Sequence, residues 1–485
     1  MRRGSEYLRL CGFLAILSTG LILYSQIEAF EWDEGFHLLA AQLIAAGKRP
    51  YLDFCFPQTP LNAYWNAAWM RMFGESWRVA HALAALLTGG AAMLTADFIF
   101  VRCTVPRWRL AAALTAALLV ALNFSVVAFG TVGQAYGMCL FLIVASFRLA
   151  ILAVERNSAW LTAAVGLLAG AAAASSLLTA AVGPVLLVWI LFHNRAGSRL
   201  VKFAAFVGAA AIPFLPVVWL FTQGPHQVLF NLIEYQTRYR RMNWGNATQH
   251  DFEVLIAWID SPQALLLGLL AAAGVLFIAQ RSEWDRVQRG KFYLCGWLAL
   301  ATGVELTAAH PTFEWYFLLT VPFLAILAAV GLYAIGSRVY DRPLLLVLAV
   351  GLMTSLGLGK SLYEDHNTYS WKNMEQVAAQ VGQVTPPGAP LWADELIYFL
   401  TRRPPPAGME FSYSHKLELP DAEAESLHIL PDSELRRRVA AGAFSTIAIC
   451  GNTDAIDSLN LPRLYAQKAE IADCTVFWDR TLAAK

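Results

Sequence analysis

Three carboxylates stand in the stretch EAFEWDEGFHLLAAQLIAAGKRPYLDFCFPQTPL, residues 28–61: Asp33, Glu34 and Asp53. All lie beside apolar sequence, where a charge costs free energy unless something uses it. A carboxylate held there can act as a general base, taking the proton from a hydroxyl as its oxygen attacks an electrophilic carbon. If the leaving group is a phosphate, it gathers negative charge and needs fixed cations. Candidate cations are Arg238, Arg240 and Arg241 in TRYRRMNW, with Lys48, Arg49 and His310. Arginine suits phosphate because its planar fork binds two oxygens. Each residue also has a plainer reading: Asp33 as a helix N-cap, RYRR as an anchor among lipid headgroups, His310 as a satisfied interface histidine.

These residues need elements to hold them. WDEGFHLLAAQLIAAG reads as a short helix, with Asp33 at the N-cap, Glu34 in the first turn and Gly47 just past the end. At about 13 residues it is too short to cross a bilayer. It is expected to lie flat at the outer interface, apolar face toward lipid, anchored by Trp32. Pro57 and Pro60 force an extended return that brings Asp53 to the same interface. A second surface helix then carries Tyr64, Trp65 and Trp69.

Of 485 residues, 57% are hydrophobic and 15% charged, and the mean hydropathy is +0.49. A soluble domain is closer to 25% charged, so the chain is predicted to be a polytopic α-helical membrane protein. Candidate spans cover 8–27, 78–101, 110–129, 135–154, 159–175, 177–192, 203–222, 263–280, 292–309, 316–336 and 343–361, eleven in all. With MRRGSEYLR inside, every inner loop carries Arg or Lys near a span end: VRCTVPRWR, ERNS, HNRAGSRLVK, QRSEWDRVQRGK and GSRVYDR. This puts the N-terminus in the cytoplasm and the C-terminus outside a cell inner or plasma membrane. The N-terminal segment shows no convincing cleavage site and reads as a retained anchor.

Two domains are expected: a transmembrane domain over 1–361, with outer loops 28–77 and 223–262, and an extracytoplasmic α/β domain over 362–485. In the latter, WKNMEQVAAQVGQV reads as an amphipathic helix and DSELRRRVAAG as a helix ending at glycine. PLWAD, FSTIAICG and CTVFWDR read as short strands. This domain is expected to cover the cavity mouth without supplying the base, so its acid pair Asp394 and Glu395, which follows a strand, is not expected to be catalytic. Seven cysteines show no metal-binding or haem spacing, and Cys450 and Cys474 are either a disulfide or two thiols on neighbouring strands.

The order DEG, short helix, PY.DF, PQ.PL resembles the first outer loop of GT-C glycosyltransferases. The similarity is greatest to the family-39-like and family-83-like group, which includes protein O-mannosyltransferases and the lipid A aminoarabinose transferase. AHPTFEWYFLLTVPFLAILAA (309–329) and VTPPGAPLWADELIYFLTRRPPPAGMEF are similar to later segments of that family. The resemblance implies a GT-C-like fold and an inverting transfer of sugar from a polyprenyl-phosphate donor to an extracytoplasmic protein, lipid or glycan acceptor. It implies Asp33 as general base, Glu34 as the acid that orients it or holds the acceptor, and Asp53 in a positioning role. Gln58, where relatives more often have Lys, and Tyr316 join Arg238, Arg240, Arg241 and His310 as implied substrate-binding positions. Glu34 with His310 is the pair that could hold a divalent metal; no other cofactor and no nucleic acid are expected, and membrane lipids are the surrounding partner.

Three other classes make different demands. A transporter or flippase of lipid-linked saccharides puts charge inside its spans, whereas here only Asp97 and Glu305 lie near span ends. A polysaccharide polymerase or ligase usually relies on a large late outer loop, while the signal here is in the first. A scaffold would depend on its tail alone.

Overall fold

A computed structural model describes residues 2–194, 196–238, 247–280, 286–309, 311–339, 342–364, 369–451 and 453–481. Among them, seven helices are long and apolar enough to cross a membrane: Arg3–Ile27, Trp77–Arg102, Tyr136–Glu155, Arg199–Gln223, Pro262–Gln280, Glu314–Val339 and Pro343–Glu364. Pro106–Ala121 and Phe124–Gly130, bent by 57° from each other, make an eighth if they are one broken span. All eleven expected segments are helical, but the count that meets the length and apolarity of a full span is seven or eight. The shortfall has local causes. A 3-10 turn at Leu177–Thr179 divides two short apolar helices, and Arg286–Ala308 opens with Arg286, Gln288, Arg289 and Lys291.

The chain divides into two compact units. One comprises Met1–Ile27, Ala80–Pro216 and Trp244–Asp365; the other comprises Glu28–Val79, Val217–Asn243 and His366–Lys485. Every described element of the first is a helix, as bilayer-spanning backbone must be to satisfy its own hydrogen bonds. Its core includes a ring cluster in which Phe98 lies 5.1 Å from Phe147 and 5.4 Å from Phe292, and Phe147 lies 5.8 Å from Phe323. Small residues bring helices together where lipid supplies no hydrophobic drive. Gly274 and Gly331 face each other across Pro262–Gln280 and Val321–Val339. A methyl on Gly274 would collide with the Leu327 carbonyl, and one on Gly331 with that of Leu270. Gly166 and Gly170 do the same against Phe206 and Ala210.

The second unit holds all four described strands: β1 Leu391–Trp392, β2 Thr446–Cys450, β3 Tyr465–Ile471 and β4 Cys474–Arg480. Their order is β1-β2-β4-β3, with β1 parallel to β2 and the other pairs antiparallel. The Cys450–Cys474 pair is disulfide-bonded across β2 and β4, where the two residues are register partners. Helix Trp371–Val384 buries Trp371, Met374, Val377, Ala378 and Val381, spaced as one helical face. Helix Asp432–Ala441 contributes Leu435 and Val439 to the core around Ile447, Ile449 and Phe477. It stops at Gly442, whose φ of 81° is the left-handed cap glycine adopts without strain.

Helix Glu34–Ala45 also belongs to this unit, and ten of its residues are buried. It does not rest on lipid, as its apolar stripe suggested. Protein covers it: helix Leu61–Phe73 on one side, and helix Glu395–Thr401 on another. Gly35 permits the second contact, because a Cβ there would sit 2.9 Å from Leu396 Cγ and 3.2 Å from Leu396 N.

Candidate active site

Asp33 occupies the N-cap position but does not cap. Its φ and ψ of −65° and −15° are helical rather than extended, and its side chain makes no cap hydrogen bond. An N-cap side chain reaches the first-turn amides from an extended backbone. Here a preceding turn takes up those donors instead: Glu34 N donates to Glu31 O at 3.2 Å and Gly35 N to Trp32 O at 3.1 Å. The carboxylate is thereby left for another partner. Tyr413 OH donates to Asp33 Oδ1 at 2.7 Å.

Tyr413 is held from behind. It rides on the 3-10 turn Ser412–Lys416, whose first amide, Ser412 N, donates to Glu395 Oε1 at 2.6 Å. Its ring stands edge-on to Phe36 at 6.4 Å and packs on Phe411 at 5.6 Å, while Phe36 and Phe411 meet edge-on at 5.1 Å. Asp394, beside Glu395, caps its own helix by accepting from Leu396 N at 3.2 Å. Asp33, Asp394, Glu395 and Tyr413 thus form one cluster, and the Asp33 charge acts on both Glu395 and Tyr413.

Burial sets the electrostatics. It pushes the Asp33 carboxyl above its ordinary range, and the Tyr413 hydrogen bond opposes it only partly. The Tyr413 phenol is driven far upward by burial and then by the Asp33 charge, so it stays a donor. Asp394 and Glu395 are both raised, by burial first; for Asp394 the Glu395 charge comes next. Glu410 is pushed up to about 7 by burial, although Gly408 N donates to it at 2.8 Å. His37, one helical turn beyond Asp33, is lowered to about 3 by burial and stays neutral. Its Nδ1 has no hydrogen-bond partner among the described residues. It therefore adds no positive charge that would pull the Asp33 carboxyl down.

The other expected site residues are placed as follows. Glu34 is fully buried, and its Oε1 accepts from Trp371 Nε1 at 3.0 Å and from Glu31 N at 3.4 Å. Trp371 stacks on Trp77 at 4.6 Å, so Glu34 ties the start of Trp371–Val384 to the first loop. Asp53 pairs with Arg49 at 2.8 Å and accepts its backbone N at 2.7 Å; the Arg49 hydrogen bond holds its carboxyl below the ordinary range. Arg49 also donates to Gln223 Oε1 at 2.9 Å, so this cation is engaged both within its own loop and with the second outer loop. Gln58 is half-buried, and its carbonyl accepts from Tyr51 OH at 2.7 Å. Arg238 pairs with Glu234 at 3.1 Å and Glu423 at 3.2 Å. Tyr316 is buried in the other unit, 5.4 Å from Phe313. Arg240, Arg241 and His310 lie outside the described residues.

Among the described residues, no three His, Cys, Asp or Glu side chains converge as a metal site. Glu34 Oε1 is taken by an indole and an amide, and His310, the other residue of the expected pair, lies outside the described residues. Three residues of the cluster come from the tail and were not among the expected site residues: Asp394, Glu395 and Tyr413. A signal for the first two was present. WDEGF and WADEL each place an Asp-Glu pair just after a tryptophan at the start of a short helix. Tyr413 has no such signal.

The sequence matches no protein-family model and no curated protein. Solved structures do share its fold. ArnT from Cupriavidus metallidurans bound to undecaprenyl phosphate superposes with a TM-score of 0.68 at 15% identity, covering 97% of this chain and 97% of that one. Its apo state gives 0.67 at 17% identity, covering 96% and 97%. The Archaeoglobus fulgidus oligosaccharyltransferase, in a complex with Zn and sulfate, gives 0.57 at 14% identity, covering 93% of this chain and 69% of that one. The likeness to ArnT runs through nearly the whole chain, both units included. The fold is the GT-C fold that the sequence resemblance implied.

Proposed function

We propose that this protein is a membrane glycosyltransferase that moves a sugar from a polyprenyl-phosphate donor to a hydroxyl acceptor outside the cytoplasm, with Asp33 as general base. One observation carries the reading. Asp33 occupies a helix start without capping it, and its carboxyl is instead held by a phenol that stays protonated. The ArnT-like fold over 97% of the chain supports the class of reaction, and that structure's undecaprenyl phosphate supports a lipid-linked donor.

The acceptor oxygen attacks the anomeric carbon while its proton passes to Asp33. The carbon–oxygen bond to phosphate breaks on the opposite face, and the bonding pair leaves with the phosphate, inverting the centre. A raised carboxyl is a stronger base than an exposed one, which suits it to a hydroxyl near neutral pH. Glu395 acts as a positioning residue through Ser412 and Tyr413, and Glu34 as another through Trp371. Arg240 and Arg241 remain the candidate phosphate ligands, because Arg238 is occupied by two carboxylates. The disulfide supports an oxidising, extracytoplasmic setting for the tail.

The test is release of free polyprenyl phosphate from a polyprenyl-phosphate sugar by the purified protein and its Asp33→Asn variant. Asn keeps the size and cannot take the proton, so turnover should fall by about 100- to 10,000-fold with an unchanged melting profile. Undiminished turnover by a folded variant would remove Asp33 from the chemistry.

A further inference from the structure

Far from Asp33 in sequence, the first unit carries a cavity of about 660 Å³ between helices Val182–Phe192 and Arg286–Ala308. We propose that it binds one acyl chain of an anionic phospholipid, with the lipid phosphate on Arg289. The walls are apolar and aromatic, and three of them also face outward: Val188, Phe192 and Trp297 are 65%, 62% and 60% exposed. Neither helix is among the seven full-length spans, but both belong to the unit that holds those spans. Large exposed apolar side chains there meet hydrocarbon, so the groove opens sideways to lipid rather than to water.

Only one end is polar. His193 and Arg289 line it, where the first helix ends and the second begins. Among the described residues Arg289 has no ion-pair partner, although it is half-buried. The helices close tightly here. Trp189 Nε1 donates to Gly290 O at 3.1 Å, and a Cβ on Gly290 would sit 2.7 Å from His193 Nε2. From Arg289 to Trp297 the groove runs about 12 Å along the helix, against about 15 Å for half a bilayer core. A cation at one end of an apolar slot of leaflet depth fits an anionic headgroup with its chain below it. In sequence, His193 and Arg289 stand at or just after HNRAGSR and QRSEWDR, segments that the positive-inside pattern puts on the inner face. The proposal rests on that sidedness when it assigns the slot to a phospholipid of the inner leaflet rather than to a donor used outside.

The whole protein in nanodiscs, given diazirine-acyl phosphatidylglycerol or phosphatidylcholine, tests this through labelled peptides. Labelling of 182–193 and 286–298 should favour phosphatidylglycerol about fivefold, the effect of one basic residue against anionic lipid. Arg289→Gln should erase that preference, and Val188→Trp should suppress labelling by both lipids. Equal labelling by the two lipids, or no effect of Arg289→Gln in a monodisperse protein, would overturn the assignment. Protection by polyprenyl phosphate but not by unlabelled phosphatidylglycerol would also overturn it, giving the slot to the donor's tail. The readout is binding, so it stands whether or not Asp33 is the base.

Discussion

Two short helices in the second unit begin with the same dipeptide and use it in opposite ways. Asp394 has extended backbone, φ −72° and ψ 159°, and its carboxyl caps Leu396 N. Asp33 has helical backbone, and its carboxyl turns to Tyr413. The difference comes from the residues before each pair. Glu31 and Trp32 form a turn whose carbonyls take the first amides of the Glu34–Ala45 helix, so no capping bond is needed. Residue type alone cannot tell a capping aspartate from one left free of capping at a helix start; the preceding backbone does.

Matched substitutions test that contrast. The largest effect should come from asparagine at the two positions. Asp33→Asn should cost about 100- to 10,000-fold in turnover, while Asp394→Asn, which keeps its cap, should leave turnover close to the parent's. Equal losses in the two transfer assays would break the distinction. Gly35→Ala should then destabilise by about 1–3 kcal/mol, the range for overpacking a tight contact, since Leu396 presents backbone as well as side chain there. An unchanged midpoint in denaturant titration would show that the two helix starts are not in contact in solution. Asp394→Ala should cost about 1 kcal/mol of stability as a lost cap, and Asp33→Ala should show no such capping loss.

Two smaller effects depend on pH. Tyr413→Phe removes the hydrogen bond that lowers the Asp33 carboxyl, so the acid limb of the turnover profile should move to higher pH. A limb that stays in place would detach Tyr413 from the base. Glu410 titrates at about 7 when folded, against an ordinary 4.5. Between those values the folded chain keeps a proton that the unfolded chain has lost, so stability falls as pH rises through that window. Glu410→Gln should flatten this part of the stability curve, as read by melting temperature from pH 4.5 to 7.

Much of the fold was legible because its signals are local. Each apolar segment became a helix, and Gly442 ended Asp432–Ala441 where a glycine should. Strand β3 was not read. As an edge strand its residues are mostly exposed, and YAQKAEI shows little apolar alternation. Span number was overread at 159–192, which the sequence divides into two apolar runs, because each resulting helix is too short to qualify as a full span. In the candidate site, DEG stood out because three unusual residues are consecutive. Tyr413 could not, because the bond to Asp33 joins residues 380 positions apart and nothing around a lone tyrosine announces a partner at that distance. Glu34 was legible as a first-turn acid beside Asp33, but its bond to Trp371 depends on a contact 337 positions away.

The glycine seam between Pro262–Gln280 and Val321–Val339 bears on motion. Backbone meets backbone there, with Gly274 against Leu327 and Gly331 against Leu270. Sliding either helix by a residue would drive a side chain into a carbonyl, so the pair has no neighbouring register to slip into. It behaves as a strut, and any rearrangement of this unit must be absorbed by joints elsewhere, such as the 57° break after Ala121.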